Sequence, residues 1–190
     1  MILLASRSPQ RATLLARAGL AFRVVDSPCD EETIDAPTPH ALALARAVGK
    51  ARGYHGAIAA GEVALGADTV VALDATVFGK PADRADARRI LGCLQGSRHL
   101  VLTGHCCLAA DGRLASEVAI ARVSMRAMTP EEIADYVASG ESDSRAGAYA
   151  LQETGDRFVT GIDGEWDTIV GLNIATVVRL RAALIGPSSG

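Results

Sequence analysis

Hydrophobic positions in this chain fall in short runs separated by turn residues, and the period within the runs alternates between strand-like and helix-like. Residues 2–5 (Ile2, Leu3, Leu4, Ala5) read as a short buried strand. Ser8-Pro9 opens a helix, with Ser8 as N-cap and Pro9 at the first helical position. That helix carries Leu14, Leu15 and Ala18 on one face and stops at Gly19. Residues 22–26 read as a second strand. Thr38-Pro39 repeats the cap signal for a helix that reaches Arg52 and ends at Gly53. Val63–Leu73 contains a strand through Gly66-Ala67-Asp68-Thr69, and residues 82–94 form a helix with Ile90, Leu91 and Leu94 inward. Residues 99–109 and 114–128 flank Asp111-Gly112, a hairpin signal. Thr129-Pro130-Glu131-Glu132 is a capping box whose helix ends near Gly140. Residues 157–162 and 165–170 flank Asp163-Gly164 and predict another hairpin. A last helix covers Ile174–Ile185.

Two hairpins amid alternating elements imply a mixed α/β sheet rather than a purely parallel one. The sequence holds neither Gly-x-Gly-x-x-Gly nor Gly-x-x-x-x-Gly-Lys-Ser/Thr, which argues against dinucleotide-binding and P-loop chemistry. With 190 residues and no internal repeat or linker, residues 1–185 read as one domain, compact or in two lobes; residues 186–190 read as a disordered tail. The apolar runs are too short to span a bilayer, and the N-terminus lacks the basic region of a signal peptide, so a cytoplasmic protein with no membrane partner is expected. A formal net charge of -3 argues against a nucleic-acid-coating surface but leaves room for a local basic pocket. Cys29, Cys93, Cys106 and Cys107 form no CxxC pair and read as buried thiols in a reducing compartment. Arginine is the default cation, so the two lysines, Lys50 and Lys80, invite a reason for keeping an ammonium there.

Four stretches can carry chemistry. In Ser6-Arg7-Ser8-Pro9-Gln10-Arg11 a strand gives way to a helix N-terminus, which suits phosphate, and Ser6, Ser8 and Arg11 can add donors; a plain N-cap with surface arginines is the alternative. Asp68 enters an apolar strand, where a carboxylate needs a cation, a metal or donors; local backbone amides are the alternative. Gly79-Lys80-Pro81 holds Lys80 either at the rim of a cleft or in an exposed turn. Arg145-Ala146-Gly147-Ala148-Tyr149-Ala150-Leu151-Gln152 either lets a flat base lie against small residues, with an amide to read its edge, or forms a tight turn.

Together these motifs resemble the Maf (septum formation) family, from Leu4 to about Leu180. The resemblance rests on Ala-Ser-x-Ser-Pro, Asp30-Glu31, Lys50, Gly-Ala-Asp-Thr, Gly-Lys-Pro, Ala-Gly-Ala-Tyr with its Gln, and Val170-Gly171-Leu172, in fixed order. It implies an elongated, twisted mixed sheet flanked by helices, in two lobes around a central cleft, related to inosine-triphosphate pyrophosphatases and commonly homodimeric. It implies hydrolysis of the α-β phosphoanhydride of a nucleoside triphosphate. Ser6, Ser8, Arg11, Glu31, Lys50 and Lys80 would bind phosphate, and Asp68 would be the proton acceptor. A lone aspartate is a weak base near neutrality, so Asp68 with Glu31 is expected to hold Mg²⁺ or Mn²⁺.

The motifs are most similar to the branch acting on dTTP and UTP, in which Gln10, Thr69 and Gln152 would set specificity. Gln10 departs from that branch, which usually has arginine there. Arg145 stands where lysine is usual and Asn173 where proline is usual. Glu165-Trp166 departs as well, and Trp166 reads as core. The alternatives are a pyrophosphatase for modified purines such as 7-methyl-GTP, a nucleotide-binding regulator of cell division, and cysteine chemistry at Cys106-Cys107.

Overall fold

The computed structural model describes residues 1–143, 145–151 and 157–185. Its elements are β1 (Ile2–Leu4), α1 (Pro9–Arg17), β2 (Phe22–Val24), α2 (Pro39–Arg52), β3 (Val63–Leu73), β4 (Thr76–Phe78), α3 (Arg84–Leu94), β5 (Arg98–Ala109), β6 (Leu114–Met125), α4 (Pro130–Ser139), β7 (Val159–Asp163), α5 (Trp166–Val170) and α6 (Ile174–Ile185). 3-10 turns at Glu31–Thr33 and Ala146–Ala148 interrupt the connections. The strands form one sheet in the order β2-β1-β3-β5-β6-β7, with β4 beside β3. β1 is parallel to β2 and β3, whereas β4 on β3 and β7 on β6 are antiparallel. The sheet is thus mixed, as the pattern of the sequence predicts. No helix among the described residues is long and apolar enough to cross a membrane.

The chain divides into two compact units. The first comprises Met1–Asp68, Thr103–Ala119 and the segment from Gly171 onward; the second comprises Thr69–Leu102 and Ile120–Val170. β3, β5 and β6 each contribute residues to both.

In the first unit every residue of β1 is buried, as a strand paired in parallel on both sides requires. Thr38 caps α2 by accepting from Ala41 N–H at 3.1 Å. Helix α2 then presses its alanine face onto the sheet. Ala43, Ala47 and Ala51, spaced four apart, are fully buried. Two strand glycines permit this close approach: a Cβ on Gly66 would collide with the Ala47 carbonyl, and one on Gly104 with the Ala43 carbonyl. The alanine-rich composition therefore has a structural use, since it brings backbone near to backbone.

The second unit has bulkier packing. Ala87, Ile90, Leu91 and Leu94 of α3 pack with Val71, Phe78, Val101, Val123, Tyr136 and Phe158, and Tyr136 meets Phe158 edge-on at 5.4 Å. The capping box opens α4 as expected, and Gly140 closes it in the left-handed region.

Three local expectations fail, and one strand is additional. Residues 165–170 do not return as a strand. β7 pairs with β6 and ends at Asp163, Gly164 backs onto Ala121, and the chain then coils into α5. Trp166, Ile169 and Val170 have the i, i+3, i+4 spacing of a helix, which outweighs the Asp-Gly turn signal. Trp166 is consequently exposed rather than core, because α5 turns Thr168 and Ile169 inward instead. Ala18 is exposed, and the buried face of α1 consists of Arg11, Leu14 and Leu15. Finally, β4 folds back on β3 through a turn in which Asp74 takes a positive φ of 53°, a hairpin without the usual glycine.

Candidate active site

Gly66 sets the geometry of the acidic cluster. It lets α2 lie on β3 two residues before Asp68, so Lys50 of α2 is carried over that carboxylate. Lys50 Nζ donates to Asp68 Oδ1 at 2.7 Å and also pairs with Glu31. The Lys50 carbonyl accepts from Ser27 Oγ at 2.8 Å, which ties the last turn of α2 to the segment after β2. Glu31 begins the 3-10 turn that Asp30 caps. Arg46, one helical turn before Lys50, brings Nη1 to 3.9 Å from Asp68 Oδ2. That distance is too long for a hydrogen bond. Among the described residues, Asp68 Oδ2 and Arg46 Nε are buried without a hydrogen-bond partner.

The serine-rich turn lies in the same unit. Arg11 is buried on α1, where its Nε donates to the Gly171 carbonyl at 2.8 Å and its Nη1 to Ser6 Oγ at 3.0 Å. Burial pulls the Arg11 pKa below its ordinary value, against Asp68 and Glu31, whose charges raise it. Ser6 Oγ also accepts from the Ser8 N–H at 3.2 Å. The Ser8 hydroxyl does not cap α1; it donates to Gln10 Oε1 at 3.0 Å. Gln10 thereby uses an acceptor that an arginine would lack.

A second contact fixes the loop that holds Arg11. Asn173 N–H donates to His105 Nε2 at 2.9 Å, and Asn173 Oδ1 accepts from Thr176 N–H at 2.9 Å to cap α6. His105 therefore carries its ring proton on Nδ1. Burial, helped by nearby Arg11, holds its pKa down at about 4. The sequence offered a signal for His105, a polar residue within the apolar run 99–109, and one for Arg46, a cation four residues before Lys50. Neither is among the residues expected from motifs.

The second unit contains Thr69 and Lys80. Thr69 is half-buried on β3 and Lys80 is exposed in the turn after β4. That turn is tied to the small-residue stretch, because Gly147 N–H donates to the Gly79 carbonyl at 3.1 Å. Gly147 has a φ of 74°, and a Cβ on it would lie 2.9 Å from Val71 Cγ2. Tyr149 is buried, and its hydroxyl meets His99 Nε2 at 2.8 Å. Burial lowers His99 to about 4 and raises Tyr149. This stretch is a backbone turn with a packed aromatic. Gln152 lies outside the described residues.

The cysteines form no disulfide. Cys106 and Cys107 are buried, and burial pushes both thiols up to about 12, which keeps them protonated and poor nucleophiles. Cys29 is half-buried and Cys93 is exposed, so the expectation of buried thiols fails for these two.

No group of three acidic, imidazole or thiol side chains suited to a metal occurs among the described residues. Two carboxylates do converge, Asp68 and Glu31. That set fits a hard divalent cation of the Mg²⁺ type, which takes one or two carboxylates and completes its shell with water and substrate phosphate. The buried Asp68 Oδ2, which has no hydrogen-bond partner among the described residues, is an oxygen of the right kind.

The chain is 44% identical over 95% of its length to a dTTP/UTP pyrophosphatase of Gloeobacter violaceus, covering 94% of that protein. It is 40% identical over 94% of its length to a dTTP/UTP pyrophosphatase of Syntrophotalea carbinolica, covering 82% of it. It is 41% identical over 96% of its length to a nucleoside triphosphate pyrophosphatase of Streptomyces coelicolor, covering 90% of it. A solved nucleoside-triphosphatase / dITP/XTP pyrophosphatase from Mycobacterium abscessus bears a partial likeness, with a TM-score of 0.40 at 16% identity over 65% of this chain and 72% of that one. The description "Maf-like protein" matches residues 1–184, and the chain belongs to the Maf family.

Proposed function

We propose that this protein hydrolyses nucleoside triphosphates of the dTTP and UTP class to the monophosphate and pyrophosphate. The observation that carries the reading is the Lys50 ammonium held by Asp68 and Glu31, beside a buried Asp68 oxygen with no hydrogen-bond partner among the described residues. The names of the relatives, at 40–44% identity, give the substrate class.

In this reading Asp68 orients a water for attack on the α-phosphorus and accepts its proton. The bond from that phosphorus to the α-β bridging oxygen breaks, and pyrophosphate leaves with the electron pair. Lys50 and Arg11 offset the negative charge of the phosphates, more strongly in a partly buried site than in water. Ser6 and Ser8 supply hydroxyls on the phosphate side. Lys80 is assigned to the phosphates by the family resemblance. Asp68 and Glu31 are the residues that would hold Mg²⁺ or Mn²⁺. Such a cation would acidify water and neutralise phosphate charge. Gln10, Thr69 and Gln152 remain the specificity residues, and cytoplasmic location and a homodimer belong to the same proposal.

A panel of triphosphates tests it, with pyrophosphate release measured with and without Mg²⁺ or Mn²⁺. The expected result is metal-dependent cleavage of dTTP and UTP ahead of purine nucleotides. The Streptomyces relatives carry the broader name, which favours wider nucleotide use as the second reading. Comparable rates across bases would select it. Selective cleavage of 7-methyl-GTP would overturn the pyrimidine assignment, and tight binding without pyrophosphate release would make the protein a nucleotide sensor.

A further inference from the structure

Arg46 has no role in the chemistry described so far, yet it stands beside the reacting carboxylate. Its side chain is 20% exposed, against 14% for Lys50 and 8% for Asp68, so the three share a largely dry environment. Arg46 and Lys50 sit four residues apart and project from one face of α2. Lys50 makes a direct hydrogen bond to Asp68; Arg46 stops at 3.9 Å from the other oxygen. Its Nε is buried and has no hydrogen-bond acceptor among the described residues. A buried N–H donor without an acceptor is costly. The Asp68 contact relieves its charge but not its hydrogen bonding. An anion with several oxygens would satisfy both, and the guanidinium fork matches phosphate geometry.

We infer that Arg46 is a further phosphate-binding residue, taking an oxygen of the pyrophosphate portion of the substrate beside Asp68. The inference rests on the hydrolase reading above for the identity of the anion. It gives the cluster a sensible charge balance. Lys50 already pairs with two carboxylates, Glu31 and Asp68, so it offsets only part of the charge of a polyphosphate. Arg46 and the buried Arg11 supply the remaining positive charge on the same unit.

The test compares wild type with Arg46→Met and Arg46→Lys. Calorimetry measures inorganic pyrophosphate binding in the presence of Mg²⁺, and steady-state kinetics measure KM and kcat on the preferred nucleotide. Thermal melting confirms that each variant is folded. Arg46→Met is expected to weaken pyrophosphate binding at least tenfold and to raise KM by a similar factor. Arg46→Lys, which keeps the charge but loses the fork, is expected to recover part of both. A lower kcat with unchanged KM and unchanged pyrophosphate affinity would overturn the inference, since Arg46 would then only steady Asp68. Unchanged binding and kinetics would overturn it as well. If wild type releases no pyrophosphate from any nucleotide yet binds the anion in an Arg46-dependent way, the hydrolase reading fails and the anion site stands.

Discussion

In the first unit, motifs distant in sequence meet through side-chain charge: Lys50 joins Glu31 to Asp68, with Arg46 and Arg11 close by. In the second, they meet through the backbone, with Gly147 N–H on the Gly79 carbonyl and Tyr149 packed on His99. The two arrangements respond to different perturbations. A charged cluster depends on which atoms are ionised and which face one another. A glycine turn depends on one permitted backbone conformation and on a missing side chain. The first is suited to carrying charge through a reaction, the second to presenting a fixed shape. If this contrast is sound, chemistry and recognition should separate by unit when each is altered.

The largest expected effect is at Asp68. Asp68→Asn keeps the volume and removes the proton acceptor, so turnover should fall by about 10²–10⁴-fold, the usual worth of a general base. Binding of a nucleotide should survive, because Lys50, Arg46 and Arg11 remain. Single-turnover assays with a separate binding measurement read both quantities. Near-normal turnover would take Asp68 out of the mechanism and leave the first unit without its distinguishing chemistry.

Paired glycine substitutions sharpen the comparison. Gly66→Ala would drive a Cβ into the Ala47 carbonyl and push α2 off β3, moving Lys50 away from Asp68. Overpacking of this kind costs about 1–3 kcal/mol of stability. A displacement of about 1 Å in the site can cost on the order of 10²-fold in rate. Gly147→Ala would strain a residue at φ 74° and crowd Val71, at a similar cost in stability. The kinetic signatures should differ: kcat falls for Gly66→Ala, whereas KM rises with kcat nearly intact for Gly147→Ala. Identical signatures would remove the functional contrast between the units.

The legibility of the sequence follows the same division. Helix boundaries set by local chemistry were readable: Thr38-Pro39 opens α2, and Thr129 with Glu132 opens α4. Asp68 and Lys50 were readable as site residues because a carboxylate in an apolar strand and a rare lysine are conspicuous. Glu31 was readable through the family resemblance, whereas Arg46 and His105 were not singled out. Arg46 is one of seventeen arginines; its spacing from Lys50 is a weak signal that gains meaning once α2 is placed over Gly66. His105 stands out as a polar residue in an apolar run, but its use depends on Asn173, 68 residues away. The Asp163-Gly164 hairpin failed for a related reason. Whether a chain turns back as a strand or coils depends on what lies beside it, here Ala121 and the core that receives Ile169.

The mildest perturbation is acid, and it reaches both units through buried imidazoles. His99 and His105 each have a pKa lowered from 6.5 to about 4, chiefly by burial. A ring whose folded pKa lies below its unfolded value contributes its full stability above pH 6.5. That contribution is lost progressively as the pH falls toward 4, since the unfolded chain takes the proton first. The loss is at most about 3 kcal/mol per ring. Glutamine at either position removes the titration and keeps a hydrogen-bonding group for Tyr149 or for Asn173. His99→Gln and His105→Gln should therefore each flatten the fall in urea midpoint between pH 6.5 and 4. Only His105 touches the loop whose Gly171 carbonyl holds Arg11. A rise in nucleotide KM as the pH approaches 4 should consequently shrink in His105→Gln and persist in His99→Gln. Equal changes in the two variants would mean that His105 supports the fold of its unit without steering Arg11.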